Sequence, residues 1–316
     1  MSNSPNYSKK ITGKFLFKER VIKYFFAVNG YIALLLILLI FAFLIKAGYE
    51  GFSQINILDY FFKESASNGT TQKLFEWYPT SENPRFSILP LLLGTLLTAI
   101  PAVIISTITG IIVGIYLSEV ASPRTREILK PIIEIFAGIP TVVIGFFMLV
   151  VVATVLSDLL SPVNRLNAFL ASLGLSFIVI PIIASLTEDS MSAVPKELRM
   201  ASYALGANRW QTITKVVLPA AVRGISAAII LGFGRAIGET MIVLMASGNA
   251  AVITVDLFSS VRSMTATIAA ELGEVSQSSP HYFALFFIGL FLFSLTFILN
   301  LIAEIFLTRM RKKLGN

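Results

Sequence analysis

Six apolar blocks dominate this chain and leave few folds open to it: Tyr24–Lys46, Leu89–Ser118, Pro131–Ser157, Leu166–Thr187, Leu218–Ser247 and Tyr282–Thr308. Each is at least about 20 residues long, the length a helix needs to cross roughly 30 Å of hydrocarbon at 1.5 Å per residue. In that medium every backbone N–H and C=O must be satisfied internally, so each block is expected to be a transmembrane helix. The fold class is therefore an all-α integral membrane protein with six spans. The first block is longer than the apolar core of a secretory signal and is read as a signal anchor.

Composition supports this. Hydrophobic residues make up 55% of the chain and charged residues 14%, against roughly 25% charged in soluble domains. Cysteine is absent, which excludes disulfides, thiolate metal sites and thiol catalysis, and the single histidine, His281, cannot form a histidine cluster. The net charge of +7 suggests nucleic acid until its distribution is considered. Lys9, Lys10, Lys14, Lys18, Arg20 and Lys23 precede the first block, Arg124, Arg126 and Lys130 follow the second, and Lys196, Arg199, Arg209 and Lys215 follow the fourth. Arg309, Arg311, Lys312 and Lys313 close the chain, whereas the alternate loops carry fewer cations. The positive-inside rule places both termini in the cytoplasm, and no nucleic-acid partner is needed.

This topology divides the chain into a basic cytoplasmic tail (1–23), a peripheral first helix (24–46), an extracytoplasmic segment (47–88), a core (89–308) with a cytoplasmic loop at 188–217, and a basic C-terminal tail (309–316). In segment 47–88, Asn68-Gly69 reads as a turn, and Trp77 and Tyr78 suit the outer membrane interface. Pro101, Pro140, Pro181 and Pro219 fall in the second to fifth blocks. Each removes a backbone donor and frees a carbonyl that needs a partner inside the protein. Those four helices are expected to form an inner bundle, with the first and sixth outside it.

The loop between the fourth and fifth blocks reads VPKELRMASYALGANRWQTITKVVLPAAVRG, Val194 to Gly224. Pro195, Glu197 and Gly206 predict a short helix over 195–205 ended by a left-handed glycine. Asn208 with Gln211 predicts a capping box that starts a second helix. A helix-turn-helix DNA reader has a similar outline, but tethering to membrane spans at both ends argues against it. A solvated amphipathic loop and a docking element for a cytoplasmic protein both remain, and Tyr203, Leu205 and Trp210 favour docking because such residues anchor interfaces.

Ala201, Leu205-Gly206-Ala207 and Val216-x-Leu218-Pro219 resemble the EAA loop of ABC-importer permeases, with Met200 standing where that family has Glu and Ser202 where it often has Ala. ILKPIIEIFAGIPTVVIGFF (Ile128–Phe147), LGFGRAIGETMIV (Leu231–Val243), SPHYFALFFIGLFLFSLTFILNLIAE (Ser279–Glu304) and SILPLLLGTLL (Ser87–Leu97) resemble the C-type permease subunit of the phosphate-specific importer. The resemblance implies a type I ABC importer permease fold in a bacterial or archaeal cytoplasmic membrane. It also implies an A-type permease partner, two copies of a cytoplasmic ATPase that carry ATP and Mg, and an extracytoplasmic phosphate-binding protein. Glu197, Ala201, Ser202, Leu205, Gly206, Ala207, Arg209 and Trp210 would then contact the ATPase. The chain has no Gly-x4-Gly-Lys-Ser/Thr phosphate loop, so it is expected to be neither an ATPase nor a carrier of its own cofactor.

Arg235 and Glu239 stand four residues apart in the fifth block. Charges at mid-membrane cost about 2.5–3.5 kcal/mol each on insertion scales, and normally face a bundle interior and pair. One reading is a neutralised pair that locks the helix, with Gly234 and Gly238 permitting close packing. The other follows from the resemblance: Arg235 attracts phosphate through its planar donor fork, while Glu239 orients the anion and lets it leave. Gly138, Pro140 and Thr141 are expected to shape the same cavity through an interrupted helix. Glu134 reads as a solvated carboxylate near a helix start, Thr98, Ser106, Thr107 and Thr109 as helix-to-helix hydrogen-bonding residues, and His281 as interfacial. Alternatives are a permease for another oxyanion, an ion-coupled secondary transporter with Arg235, Glu239 and Glu134 as a relay, and a non-transporting sensor of phosphate status.

Overall fold

A computed structural model describes residues 13–67 and 70–313. The Asn68-Gly69 turn, residues 1–12 of the basic tail and residues 314–316 lie outside the described residues. α1 (Gly13–Gln54) is followed by a 3₁₀ turn (Ile57–Tyr60) and two antiparallel hairpins, β1 (Lys63–Ser67) with β2 (Thr70–Leu74) and β3 (Trp77–Tyr78) with β4 (Arg85–Phe86). α2 (Leu89–Ile115) runs into a π-turn at Tyr116–Val120, and α3 (Pro123–Ala137) follows. The next span is α4 (Thr141–Phe147), a π-turn (Met148–Val152) and α5 (Ala153–Leu160), and then comes α6 (Ala168–Ser192). α7 (Lys196–Ala204) and α8 (Arg209–Thr212) form the loop between the fourth and fifth spans, and a π-turn at Ile213–Val217 leads into α9 (Leu218–Ile237). α10 (Met241–Ala246), α11 (Met264–Glu271) and α12 (Pro280–Lys313) complete the chain.

Among the described residues six helical stretches are long and apolar enough to cross a membrane: Lys18–Gly51, Leu89–Val120, Thr141–Leu160, Ala168–Ser192, Arg209–Ile237 and Pro280–Ile305. Two differ from the expected blocks. Pro131 and Glu134 belong to α3, a separate amphipathic helix without a buried residue, and the third span starts only at Thr141 after Gly138-Ile139-Pro140. The fifth block is not one helix either: it stops at Ile237 and resumes at Met241. In both cases a glycine and a polar or proline residue break the ladder inside a stretch whose apolar content reads as continuous.

α6 is the central helix, packed against α2, α9, α3 and α10. Small residues set the approach. A Cβ at Gly110 or Gly114 of α2 would crowd Ile183 or Thr187, one at Gly174 of α6 would crowd Ile242 and Met148, and one at Gly232 of α9 would crowd Val179. Without a hydrophobic drive between helices in lipid, such close contact supplies the packing energy. Gly234 and Gly238, expected to serve this purpose, do not: a Cβ at Gly234 meets only Asn300 Oδ1 at 4.0 Å, and at Gly238 the nearest atom is the Gly234 carbonyl oxygen. The tight glycines of α9 are Gly224, where a Cβ would overlap Ser190, and Gly232.

α1 packs against α12, with Phe41 on Phe293 and Phe43 on Phe286. On the outer side Tyr60, Trp77, Phe86, Ile88 and Leu91 form a second core with Met264, Ala284, Leu285 and Ile288. Trp77 is thus 4% exposed and not an interfacial anchor; its indole N–H donates to Glu271. Tyr78 is exposed. Residues 247–263 contain no helix, and the amides of Ala168 and Phe169, at the start of α6, donate to Ser259 and Leu257 of that segment.

Candidate substrate pathway and docking loop

The break after α9 is built around Glu239. The Gly238 N–H makes the last α-helical bond, to the Gly234 carbonyl at 3.1 Å, and the Glu239 N–H turns back to the Ala236 carbonyl at 3.4 Å, where the helix ends. Glu239 Oε2 accepts from Arg235 Nη1 at 2.7 Å, and Oε1 accepts from the Met241 amide at 3.1 Å, one of the orphan donors at the start of α10. Thr265 Oγ1, from α11, donates to the Glu239 carbonyl at 2.8 Å. Glu239 is 4% exposed at its side chain and Arg235 42%. The carboxylate is held inside while the guanidinium stays on a surface, and among the described residues only Nη1 of its fork is engaged.

The break before α4 lies beside this one. α4 packs against α10, where a Cβ at Gly145 would meet Met245 Sδ, the Met241 carbonyl and Ile242 Cα at 2.9–3.3 Å. Gly138 and Pro140 are exposed and Thr141 partly so. Glu134 stays on α3, before the break, and is exposed. Thr98, Ser106 and Thr109 donate back into α2 itself, and Ser106 also reaches the Ser176 carbonyl of α6 at 3.4 Å.

In the loop between the fourth and fifth spans, Asn208 and Gln211 form the capping box that their spacing predicts, and Gly206 adopts φ +83°, where a side chain would be strained. Leu205 is 89% and Trp210 64% exposed. Glu197, Ala201, Gly206 and Arg209 are exposed and Ala207 partly buried. Ser202 points inward and shares a 2.9 Å hydrogen bond with Thr212 Oγ1, fixing α7 on α8. Arg209 donates to the Glu119 carbonyl.

Two charged clusters escaped the sequence reading. Near the C-terminal end of α6, Glu188 is fully buried and accepts from Arg126 and, at 2.6 Å, from Lys130, which also reaches Asp189 at 2.6 Å. Arg199 of α7 pairs with Glu119 at 2.7 Å and donates to the Met191 carbonyl at 2.8 Å and to Val194. Burial acts to lower the Lys130 pKa, but its bonds to Asp189 and Glu188 outweigh this and raise it. On the outer side Glu271 holds Arg262 at 2.6 Å, His281 at 2.8 Å and Trp77. Burial pushes the Glu271 pKa up, yet the His281 bond, Arg262 and Trp77 together bring it below the ordinary value. His281 is therefore hydrogen-bonded to the carboxylate that also holds Arg262 and Trp77. The available signal was an acidic pair, Glu188-Asp189, closing an apolar run opposite three cations.

Residues 106–312 match the family model for the "binding-protein-dependent transport system inner membrane component". The chain is 32% identical over 236 residues to the probable ABC transporter permease protein YqgH of Bacillus subtilis, covering 75% of this chain and 76% of that one. It is 39% identical over 122 residues to the phosphate transport system permease protein PstC of Pasteurella multocida, a match spanning 39% of this chain and 38% of that protein's length. Its fold is similar to a chain of a bacterial alginate ABC transporter solved in complex with an alginate pentasaccharide-bound periplasmic protein, with TM-score 0.62, 16% identity and coverage of 95% and 98%. The chain belongs to the binding-protein-dependent inner membrane component family: it is a multi-pass permease subunit of an ABC importer, without ATPase activity of its own, and works with an ATPase and a periplasmic binding protein.

Proposed function

We propose that this permease imports inorganic phosphate as the C-type half of a heterodimer, beside an A-type permease, two copies of the ATPase and a phosphate-binding protein. The observation that carries the reading is Arg235: an exposed guanidinium at a helix break, tied to a buried carboxylate by one of its donors. Its remaining N–H groups match the oxygens of a tetrahedral oxyanion. The PstC relative, named for phosphate transport, favours phosphate among the oxyanions. Glu239, fixed by Met241 and Arg235, keeps the site from being a permanent cation and so from trapping its cargo. It can also accept a hydrogen bond from a protonated phosphate oxygen, a donor that sulfate lacks near neutral pH.

The exposed apolar side chains of the 195–212 loop, Leu205 and Trp210 foremost, would seat in the ATPase, whose bound ATP and Mg supply the driving force. Gly138, Pro140 and Thr141 would line the pathway across from Arg235. Purifying the chain from its native membrane tests this reading. A second permease and an ATPase should accompany it, and hydrolysis by that complex should rise with phosphate-loaded binding protein. Stimulation by sulfate or molybdate, with none by phosphate, contradicts the substrate.

A further inference from the structure

We propose that Glu188 is a positioning residue for coupling: buried between Arg126 and Lys130, it latches α3 to the helix that carries the docking loop, so that the loop's movement reaches the helix break at 138–140. This rests on the reading of residues 195–212 as the docking element.

The cytoplasmic ends of the bundle are joined by two kinds of link. The loop itself is bound rigidly: Arg199 of α7 caps the end of α6 through the Met191 and Val194 carbonyls and pairs with Glu119 at the end of α2, while Arg209 holds the Glu119 carbonyl. Ser202 and Thr212 lock its two helices together. Loop, α2 end and α6 end therefore move as one body.

α3 is attached differently. None of its residues is fully buried and only Leu129 and Ile133 of its apolar residues are half-buried, so apolar packing holds it less firmly than it holds the neighbouring helices. Its link to α6 is polar: Arg126 to Glu188 and to Ser192 at 3.1 Å, and Lys130 to Glu188 and Asp189. Glu188 is the member with no exposure, and a buried charge that loses its partners is strongly penalised, so the latch holds or releases as a unit. α3 leads directly through Gly138 and Pro140 into α4, whose Gly145 lies against Met241 and Ile242, next to the residue pair 235 and 239. The contacts thus run unbroken from loop to pathway, with one ionic joint in the middle.

The test uses the complete complex in proteoliposomes, with ATP hydrolysis and uptake of radiolabelled inorganic phosphate followed together. Glu188→Gln should leave hydrolysis stimulated by loaded binding protein within about twofold of wild type, while phosphate moved per ATP falls about tenfold or more; Glu188→Asp should recover part of that ratio. A purely structural role predicts that both rates fall together with membrane abundance, and that result, or an unchanged ratio, overturns the proposal. Spin labels at Glu127→Cys and Lys196→Cys give a reading that needs no substrate, since the chain has no other cysteine. Their distance should stay the same with and without ATP in the wild-type background and broaden or split in Glu188→Gln; identical distributions in both backgrounds overturn the latch. Leu205→Asp separates the two levels. If it leaves stimulated hydrolysis intact, the docking reading fails and takes this proposal with it. If it abolishes stimulation while Glu188→Gln leaves the ratio unchanged, only the latch is lost.

Discussion

Glu239 uses one carboxylate for two purposes: it neutralises part of Arg235 and caps the first turn of α10. The i,i+4 spacing of the pair is visible in the sequence, but the break between them is not, because the partners that stabilise it, the Met241 amide and Thr265 on α11, become neighbours only in the fold. The same holds for Trp77, whose aromatic ring suits a membrane interface equally well until Glu271 claims its N–H. That contact makes a pH prediction. The Glu271 pKa is lowered from the ordinary 4.5, so its stabilising contribution is present above that value and is lost as pH falls through the lower folded value. Emission from Trp77, read in a Trp210→Phe background, should therefore hold steady down through pH 4.5 and shift only below it; a transition above 4.5 contradicts the assigned environment. Gly94 is a second sensitive point, since a Cβ there would overlap the Arg262 carbonyl. Gly94→Ala should cost about 1–3 kcal/mol through overpacking, seen as a lower thermal midpoint of the purified chain.

At the level of elements, helix starts with local chemistry were readable and helix ends set by tertiary contacts were not. Pro195, Gly206 and the Asn208–Gln211 box specify α7 and α8 within a few residues of sequence. Asn208→Ala should remove about 1 kcal/mol of capping, which is roughly a fivefold faster hydrogen exchange at the Gln211 amide; unchanged exchange would show that the cap bears no load. The second half of α3 reads as part of the third span because Ile132, Ile135 and Phe136 carry a spanning block's hydrophobicity on one face only, and the break that separates them from α4 is just Gly138-Ile139-Pro140. α11 was missed for the opposite reason. Its sequence, MTATIAAE, is too short and too small in side chains to show a period.

For the molecule as a whole, six spans follow from length and composition, since a bilayer admits little else. Which helix sits at the centre does not, because α6 and α12 are similarly apolar and differ in the small residues that neighbours present to them. On the proposed reading, the docking loop lies at one end, the Glu188 ion pairs join α3 to α6 in the middle, and Arg235 stands exposed beside two adjacent helix breaks. Phosphate uptake by Arg235→Gln and Glu239→Gln, compared with wild type at equal membrane abundance, tests this account most directly. Uptake should fall at least about tenfold in the arginine variant, equivalent to roughly 1.4 kcal/mol, and the glutamine at 239 should weaken the preference for phosphate over sulfate. Wild-type uptake in both variants would contradict it.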